Sequence, residues 1–388
     1  MKILVLTPRF PYPLDKGDKL RAFHQIRLLS EHHDIALFAL SDRPVTAAHT
    51  AQLKPYVKAL HVEPLHPLQI LKSLLIALPS KYPFQVAYHT HPRALRNFRQ
   101  FLEAFKPDIV YFQLLRTLAY IQEAKGYKLA LDMMDPFAKN VHLRLPHTSF
   151  WLRPFLAEEE ARLDYAERIA FERFGRVGII SPRDREDIRS PARAEAFIIP
   201  NGIDTTYYQP METPKKWDVC FVGSMRYPSN IEAALFLAEQ VMPRVWETLP
   251  QACLVLVGAD PPRRIRRLRN SRIEVTGRVP DTRPYYAGSK VFCAPMYLNT
   301  GIQNKILEAM AMGLPVVTTS RANESLQGQP DAHLFVADDA EIMAHAVLKL
   351  LFDSDLCEHM GNLGRKFVLE TFSWDKTAEA LQAFFELA

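Results

Sequence analysis

The residues best suited to chemistry in this chain lie in one stretch, Val291 to Thr319. Lys305 and Glu308 stand three apart in it, and a helix sets positions three apart side by side on one face. Lysine offers a positive charge for a phosphate, and glutamate offers acceptor oxygens for sugar hydroxyls. Just before them runs a polar, glycine-bearing loop from Leu298 to Asn304, with Thr300, Gly301 and Ile302 at its centre. A lysine in a first helical turn opposes the helix dipole unless an anion lies nearby. The pair therefore suits a nucleotide, whose diphosphate and ribose ask for both groups. The same spacing also describes a plain surface ion pair, and the two readings stand level on these residues alone.

The elements that must position this pair read as one βαβ unit. Val291 to Ala294 is a short apolar strand, Ile306, Leu307, Met310 and Ala311 recur at helical spacing, Gly313 supplies a left-handed stop, and Pro315 to Thr319 opens the next buried parallel strand. At such a strand end the unpaired amides and dipole of the following helix converge, which favours anions. The loop Ser224 to Asn230, after the strand Asp218 to Gly223, offers a second set of free amides together with Arg226, opposite the Lys305 loop. A third loop follows the first strand, Lys2 to Thr7: Gly17 is flanked there by Lys16, Lys19 and Arg21, ahead of a helix predicted from about Leu20 to Glu31. One glycine is a weak phosphate signal, and a charged loop stiffened by prolines explains the segment as well. The strand Lys128 to Asp135 ends in Asp132 and Asp135, a pair fitted to general-base work, to holding a hydroxyl, or simply to capping the next helix. A neighbouring strand, Pro107 to Gln113, delivers Gln113 to the same sheet edge.

At 388 residues the chain exceeds a single core, so two domains are expected. Strands and helices alternate in both halves, which predicts an α/β protein of two doubly wound, Rossmann-like domains. The expected division is 1–195 plus a final helix over 373–388, and 196–372, with the Asn201-Gly202 turn beginning the linker. Cys220, Cys253, Cys293 and Cys357 are scattered without paired spacing, so they read as thiols in a reducing compartment, and no metal set is formed. The opening apolar run is too short for a secretion signal and no segment is long enough to span a bilayer, so a cytoplasmic location is expected. Residues 1–200 carry 29 Lys+Arg against 21 Asp+Glu, a surplus of 8, whereas 201–388 carry 19 against 22. The basic half suits an anionic acceptor or contact with a membrane surface, and a solvated basic surface explains it equally; no nucleic-acid partner is expected. Between Pro67 and Tyr88, Leu71, Leu74, Leu75 and Leu78 share a helical face near Lys72 and Lys81, which fits either a membrane-lying helix or one packed on its own sheet.

Taken together these residues resemble the GT-B glycosyltransferases, and among them the large retaining group called family 4. The resemblance rests on Lys305 to Val317 (Lys-x-x-Glu-Ala-Met-Ala-x-Gly-x-Pro-Val-Val), Ile199-Pro-Asn-Gly-Ile-Asp204, Phe221-Val-Gly223 with Pro228 and Asn230, and Gly277-x-Val-Pro-Asp281. It is nearest to sugar transferases of bacterial exopolysaccharide and PEP-CTERM/exosortase-associated clusters. The resemblance implies a nucleoside diphosphate sugar donor held by the second domain, a glycan or polyprenyl-linked acceptor held by the first, chemistry in a cleft between them, and a last helix crossing back to the first domain. It implies that Glu308 binds the ribose, that Arg278 and Val279 lie against the base, and that the helix start from Gly301 to Lys305 meets the diphosphate. With Arg226, Lys305 and the Gly17 loop neutralising the leaving group, no metal and no further cofactor is implied. The chain departs from the family pattern at Thr300, where a second glutamate is usual, in the incomplete basic pair around Arg226 and Asn230, and at Gln113, where a histidine is common. Two rival readings share the architecture: a sugar-nucleotide 2-epimerase, for which Asp132 and Asp135 are the candidate acid and base, and a non-catalytic subunit that binds nucleotide sugar.

Overall fold

Short β-branched and apolar runs, each closed by glycine, proline or a polar turn, build the strands of two separate sheets. The computed structural model describes residues 1–298 and 301–386. Two compact units emerge: Met1–Asn201 with the segment from Thr377 onward, and Gly202–Lys376. The first holds β1 (Lys2–Thr7), β2 (Asp34–Ser41), β3 (Ala59–Pro64), β4 (Ile109–Gln113), β5 (Lys128–Met134), β6 (Arg176–Ile179) and β7 (Phe197–Ile198). Their spatial order is β3-β2-β1-β4-β5-β6-β7, with every pairing parallel. The second unit holds β8 (Trp217–Val222), β9 (Leu254–Val257), β10 (Ile273–Gly277), β11 (Ser289–Ala294), β12 (Val316–Thr318) and β13 (Phe335–Val336), ordered β10-β9-β8-β11-β12-β13 and again parallel.

Both orders are Rossmann-like, as expected. Strands buried on both faces need continuous apolar runs, and Ile3 to Leu6 and Leu254 to Val257 are wholly buried. In each sheet the winding direction reverses between the first strand and the fourth, β1 and β4 in one unit, β8 and β11 in the other. Ligand crevices in such sheets open beyond the carboxyl ends of those two strands.

In the first unit a buried polar network occupies that position. Arg21, 1% exposed, forks onto Asp132 through Nε (2.6 Å) and Nη2 (3.0 Å), and donates to Asn201 Oδ1 (2.7 Å) and to the Ile199 carbonyl (2.8 Å). Gln25, one helical turn after Arg21, donates to Asp132 at 2.9 Å and accepts from the Tyr111 hydroxyl and from Gln113. The Met134 amide completes the shell of Asp132 at 3.1 Å. Two expectations change here: Arg21 is a structural cation that cradles no phosphate, and Asp132 has its oxygens occupied by hydrogen bonds.

The network also explains why the first unit runs on to Asn201, six residues past the expected division at 195. β7 pairs with β6 through Gly178 and Phe197, and Arg21 grips the chain just beyond it. The last helix, Trp374–Glu386, passes from the second unit into the first, where Phe384 and Phe385 pack against Tyr111 and Phe384 also meets Phe197. The first helix begins at Gly17, three residues ahead of Leu20, and a helix Phe137–Arg144 and a 3-10 segment Leu115–Ala124 join the expected elements.

Asp132→Ala leaves a guanidinium buried without a counter-charge, so it should cost about 3–5 kcal/mol in urea unfolding. Arg21→Met combined with Asp132→Ala should recover most of that loss. A single variant as stable as the parent would show that the network contributes nothing.

Candidate functional site

The second unit places the Lys305 loop at its switch point. β11 ends at Ala294, and the hydroxyls of Thr318 and Thr319, at the end of β12, donate to the carbonyls of Ala294 (2.7 Å) and Met296 (2.9 Å), which fixes the start of the loop. Gly301 has φ +68°, a left-handed conformation that strains any other side chain. The helix Asn304–Ala311 then begins with Gln303 at its N-cap, whose side chain makes no cap hydrogen bond. Ile306, Leu307, Ala309, Met310 and Ala311 are buried, which leaves Lys305 and Glu308 half-buried on the remaining face. The far end of this helix is held as firmly. Gly313 takes the expected left-handed turn at φ +77°, Arg365 donates to the Ala311 carbonyl, and Gly361 lets its own helix approach so closely that a Cβ there would stand 2.2 Å from the Gly313 oxygen.

Lys305 and Glu308 are no surface ion pair. The Lys305 ammonium donates to Gln303 Oε1 at 2.7 Å and lies 4.0 Å from Met296 Sδ, while Glu308 Oε2 accepts from the Tyr286 hydroxyl at 2.8 Å. Burial lowers the Lys305 pKa to about 8, against the opposing pull of Glu308. Burial also raises the Glu308 carboxyl, with hydrogen bonds from Tyr286 and Tyr208 and the Lys305 charge acting the other way. The Tyr286 hydroxyl, fully buried and turned further into place by the Lys305 carbonyl at 3.3 Å, stays protonated and so remains a donor to Glu308. The site thus keeps a cation and an anion apart, each half out of water, each held by a neutral partner.

The facing loop follows β8. A Cβ on Gly223 would meet Asn230 Cγ at 2.9 Å, and one on Gly258 would sit 1.9 Å from the Gly223 oxygen, so both glycines are demanded by close backbone approach. Asn230 starts the helix Pro228–Phe236 and donates to the Ser224 carbonyl at 2.8 Å. Its Oδ1, and Oδ1 of Asn304 across the switch point, are buried without a hydrogen-bond partner among the described residues. Such atoms cost free energy unless a ligand or water supplies a donor. Arg226 is exposed and ion-paired with Asp260. Arg278, exposed, and Val279, half-buried, follow the left-handed Gly277 at the end of the edge strand β10. Thr300 lies outside the described residues.

The remaining candidates belong to the first unit. Gly17 is exposed at the start of its helix, where Lys19 pairs with Asp15 (2.9 Å) and Arg9 with Asp18 (2.5 Å). Asp135 is half-buried just past β5, and burial, reinforced by the nearby Asp184 charge, pushes its pKa up to about 7. Among the described residues no group of three or more His, Cys, Asp or Glu is arranged to hold a metal ion. Sequence reading missed Tyr286, Gln303 and Met296; none carries a local signal, because each acts through a partner placed by the fold.

Residues 216–353 match the family described as glycosyl transferases group 1. The chain is 21% identical over 365 residues, 89% of its own length and 90% of the other, to a 44.6 kDa protein of the cps region of Klebsiella pneumoniae. It is 22% identical over 293 residues, 72% of its length and 71% of the other, to an MMP alpha-(1->4)-mannosyltransferase of Mycolicibacterium hassiacum. In structure it is similar to a sucrose-phosphate synthase of Thermosynechococcus elongatus, with TM-score 0.74, 16% identity and coverage of 100% and 99%. It is also similar to Anabaena Alr3699/HepE in complex with UDP-glucose, with TM-score 0.67, 15% identity and both chains fully covered. The second unit carries a group 1 glycosyltransferase domain. The chain as a whole has the GT-B fold of two Rossmann-like domains, and with its group 1 domain it is a glycosyltransferase.

The depressed pKa of Lys305 has a measurable consequence. Its folded pKa lies below the ordinary lysine value, so the unfolded chain binds the extra proton and stability rises with pH above about 8. Lys305→Met should therefore stabilise the unliganded protein at pH 7 by about 1 kcal/mol, discounted for partial exposure, and flatten that rise. Loss of stability in the variant would mean that the ammonium is well satisfied without a ligand.

Proposed function

We propose that this glycosyltransferase moves a hexose from a nucleoside diphosphate sugar to a polysaccharide or lipid-linked glycan acceptor, with retention, in cell-surface polysaccharide synthesis. The observation that carries the reading is Lys305 and Glu308 at the switch point of the second sheet, each partly desolvated and each hydrogen-bonded to a neutral partner. Glu308, aimed by Tyr286, accepts the ribose hydroxyls. Lys305 and the amides from Gly301 and Ile302 onward take the diphosphate, where a phosphate restores the ammonium to full charge. Gly223 and Asn230 line the opposite side, Arg226 swings from Asp260 to the leaving phosphate, and Arg278 and Val279 border the base. Thr300 offers a neutral hydroxyl to the sugar. The UDP-glucose complex of the structurally similar Anabaena protein supports a uridine nucleotide as donor.

In this scheme developing negative charge on the leaving diphosphate is met by protein cations and amides, so we propose that no metal is required. Asp135, its carboxyl pushed up to about 7 by burial, is our candidate for exchanging a proton with the acceptor hydroxyl. A nucleotide-sugar donor puts the reaction in the cytoplasm. The epimerase alternative gains no support, since Asp132, one of its two candidate groups, is locked onto Arg21 and Gln25.

A thermal-shift series with UDP, GDP, ADP and TDP tests the donor site. One nucleotide, expected to be UDP, should stabilise the parent by about 2.7 kcal/mol at a hundredfold excess over its Kd, and should shift neither Glu308→Ala nor Lys305→Ala. EDTA should leave that shift unchanged. A shift that survives both substitutions would remove the donor from this site, and no shift with any nucleotide would overturn the donor reading.

Above about pH 8 the free Lys305 loses its proton, so the Kd for the nucleotide should rise with pH, by up to about tenfold per unit. Lys305→Arg, charged throughout, should flatten the profile. An equally steep rise in the arginine variant would assign the titration to another group.

A further inference from the structure

The helix Pro67–Ala77 presents its apolar face outward. Leu68, Leu71, Leu75 and Ile76, together with Lys72, recur at helical spacing and are all exposed, Leu68 at 81%. Packing within its own unit accounts for the opposite side, against the helix Phe84–Tyr88 and not on the sheet itself as one sequence reading had it: Ala77 is buried and the Ser73 hydroxyl donates to the Thr90 carbonyl at 2.6 Å. It leaves the leucine ridge uncovered. A second apolar projection, Phe150-Trp151-Leu152, forms a turn ahead of the helix Arg153–Arg173, with Phe150 75% and Trp151 67% exposed.

The two projections are clamped to one another through that long helix. Arg162 donates to the carbonyls of Ala77 (2.8 Å), Leu78 (2.9 Å) and Tyr82 (3.1 Å), closing the end of the ridge helix. Glu159 accepts from the amides of Phe84 (2.7 Å) and Gln85 (3.0 Å), and the rings of Phe84 and Phe155 stack 4.6 Å apart. Ridge helix and aromatic turn are therefore anchored to the same long helix of the first unit. Large exposed apolar patches of this kind mark an interaction site.

Charge decides the occupant. From Glu63 to Glu103 the chain holds no acidic residue and five cations, Lys72, Lys81, Arg93, Arg96 and Arg99. From Asp135 to Glu158 it again holds none, with Lys139, Arg144 and Arg153 between. Arg93 pairs with Glu63, Arg99 with Glu123 and Lys139 with Asp187, so the positive charge of the two segments rests on Lys72, Lys81, Arg96, Arg144 and Arg153. A second copy of the same face would set like charges against each other, and a neutral groove would need no lysine in the ridge. Leucines for the acyl boundary, a tryptophan for the interface and lysines for phosphate headgroups together match an anionic lipid bilayer. No helix among the described residues is long and apolar enough to cross a membrane.

We propose that the outward ridge of Pro67–Ala77 and the Phe150-Trp151-Leu152 turn dock the first unit on an anionic lipid bilayer, lying in its interface. The inference concerns a surface remote in sequence from the donor site, and its test does not use activity, so it stands or falls separately from the reading of Lys305 and Glu308. Flotation of the full chain with phosphatidylglycerol-containing vesicles should carry the protein at low salt, with binding weakened by about tenfold at high salt and absent on pure phosphatidylcholine. Tryptophan emission should shift to the blue on binding and be quenched by brominated acyl chains. Trp151 is the exposed indole, since Trp374 is buried and Trp217 and Trp246 are half-buried. Leu75→Glu combined with Trp151→Glu should reduce partitioning by at least about tenfold while leaving the melting temperature of the protein unchanged. Three results would overturn the proposal: no flotation at low salt, undiminished flotation of the double variant, or a concentration-dependent dimer of the parent that the double variant abolishes without any vesicle binding.

Discussion

The second unit is governed by a single electrostatic constraint: a lysine ammonium and a glutamate carboxylate must share one short helix, partly out of water, without closing on each other. Free ions at this spacing would pair. What prevents it is that each has been given a neutral partner first, Gln303 for Lys305 and Tyr286 for Glu308. Those partners need fixed positions, and the fold supplies them. Threonine hydroxyls at the end of β12 hold the loop, and Gly313, Gly361 and Arg365 lock the other end of the helix. The arrangement stores an unfavourable charge state, visible in the depressed lysine and the raised glutamate, at the point where an anionic, hydroxyl-bearing ligand would relieve both.

The first unit meets the same sheet geometry with the opposite solution. Its switch point is filled by Arg21 and Asp132, a pair that neutralises itself in bidentate contact and recruits Gln25, Asn201 and the Ile199 carbonyl until every polar atom of the fork is used. Such a network adds little net stability over an apolar core, but it fixes one arrangement, because any slip leaves a charge buried and alone. It ties β1's following helix to β5 and to the chain leaving β7. Asp135, only three residues on from Asp132, stands outside the hydrogen-bonded network, and its burial, with the Asp184 charge, outweighs the pull of Arg21 and Arg116 and raises its pKa to about 7. Two carboxylates from one strand end thus separate into a structural anion and a titrating group.

These contrasts mark how far the sequence could be read. Buried parallel strands announce themselves as apolar runs, and both sheets follow from them. Gly313 was legible because a helix that must turn back sharply needs a left-handed residue, and its φ of +77° meets that need. The 3-10 segment Leu115–Ala124 and the helix Phe137–Arg144 were not legible, since one has no α-helical period and the other starts directly after Pro136 without a cap that side-chain chemistry would reveal. Long-range partners were the least legible of all. Arg21 sits among lysines in the chain and looks like one more surface cation, yet its partner Asp132 lies 111 residues away. Tyr286 is likewise 22 residues from Glu308 and carries no motif of its own. Residue type gave the chemistry of the site, but which groups were free to act depended on contacts that only the folded chain displays.

Net charge illustrates the same point from the other direction. The half of the chain with the surplus of cations is not where a desolvated cation awaits an anion; Lys305 lies in the half with 19 basic against 22 acidic residues. A local site is set by which few charges lose their water, and the sum over a domain says little about it. What the sum does describe is the outer surface. In the first unit Arg21 and Arg162 are consumed internally, bonded to carboxylates and carbonyls, so the positive surface must come from other residues. Lys72 and Arg144, exposed in the acid-free runs around Pro67–Ala77 and Phe150–Leu152, contribute to it beside exposed leucines and aromatics. Each half therefore uses charge on a different length scale, the second over a few ångströms at one helix start and the first across an extended face.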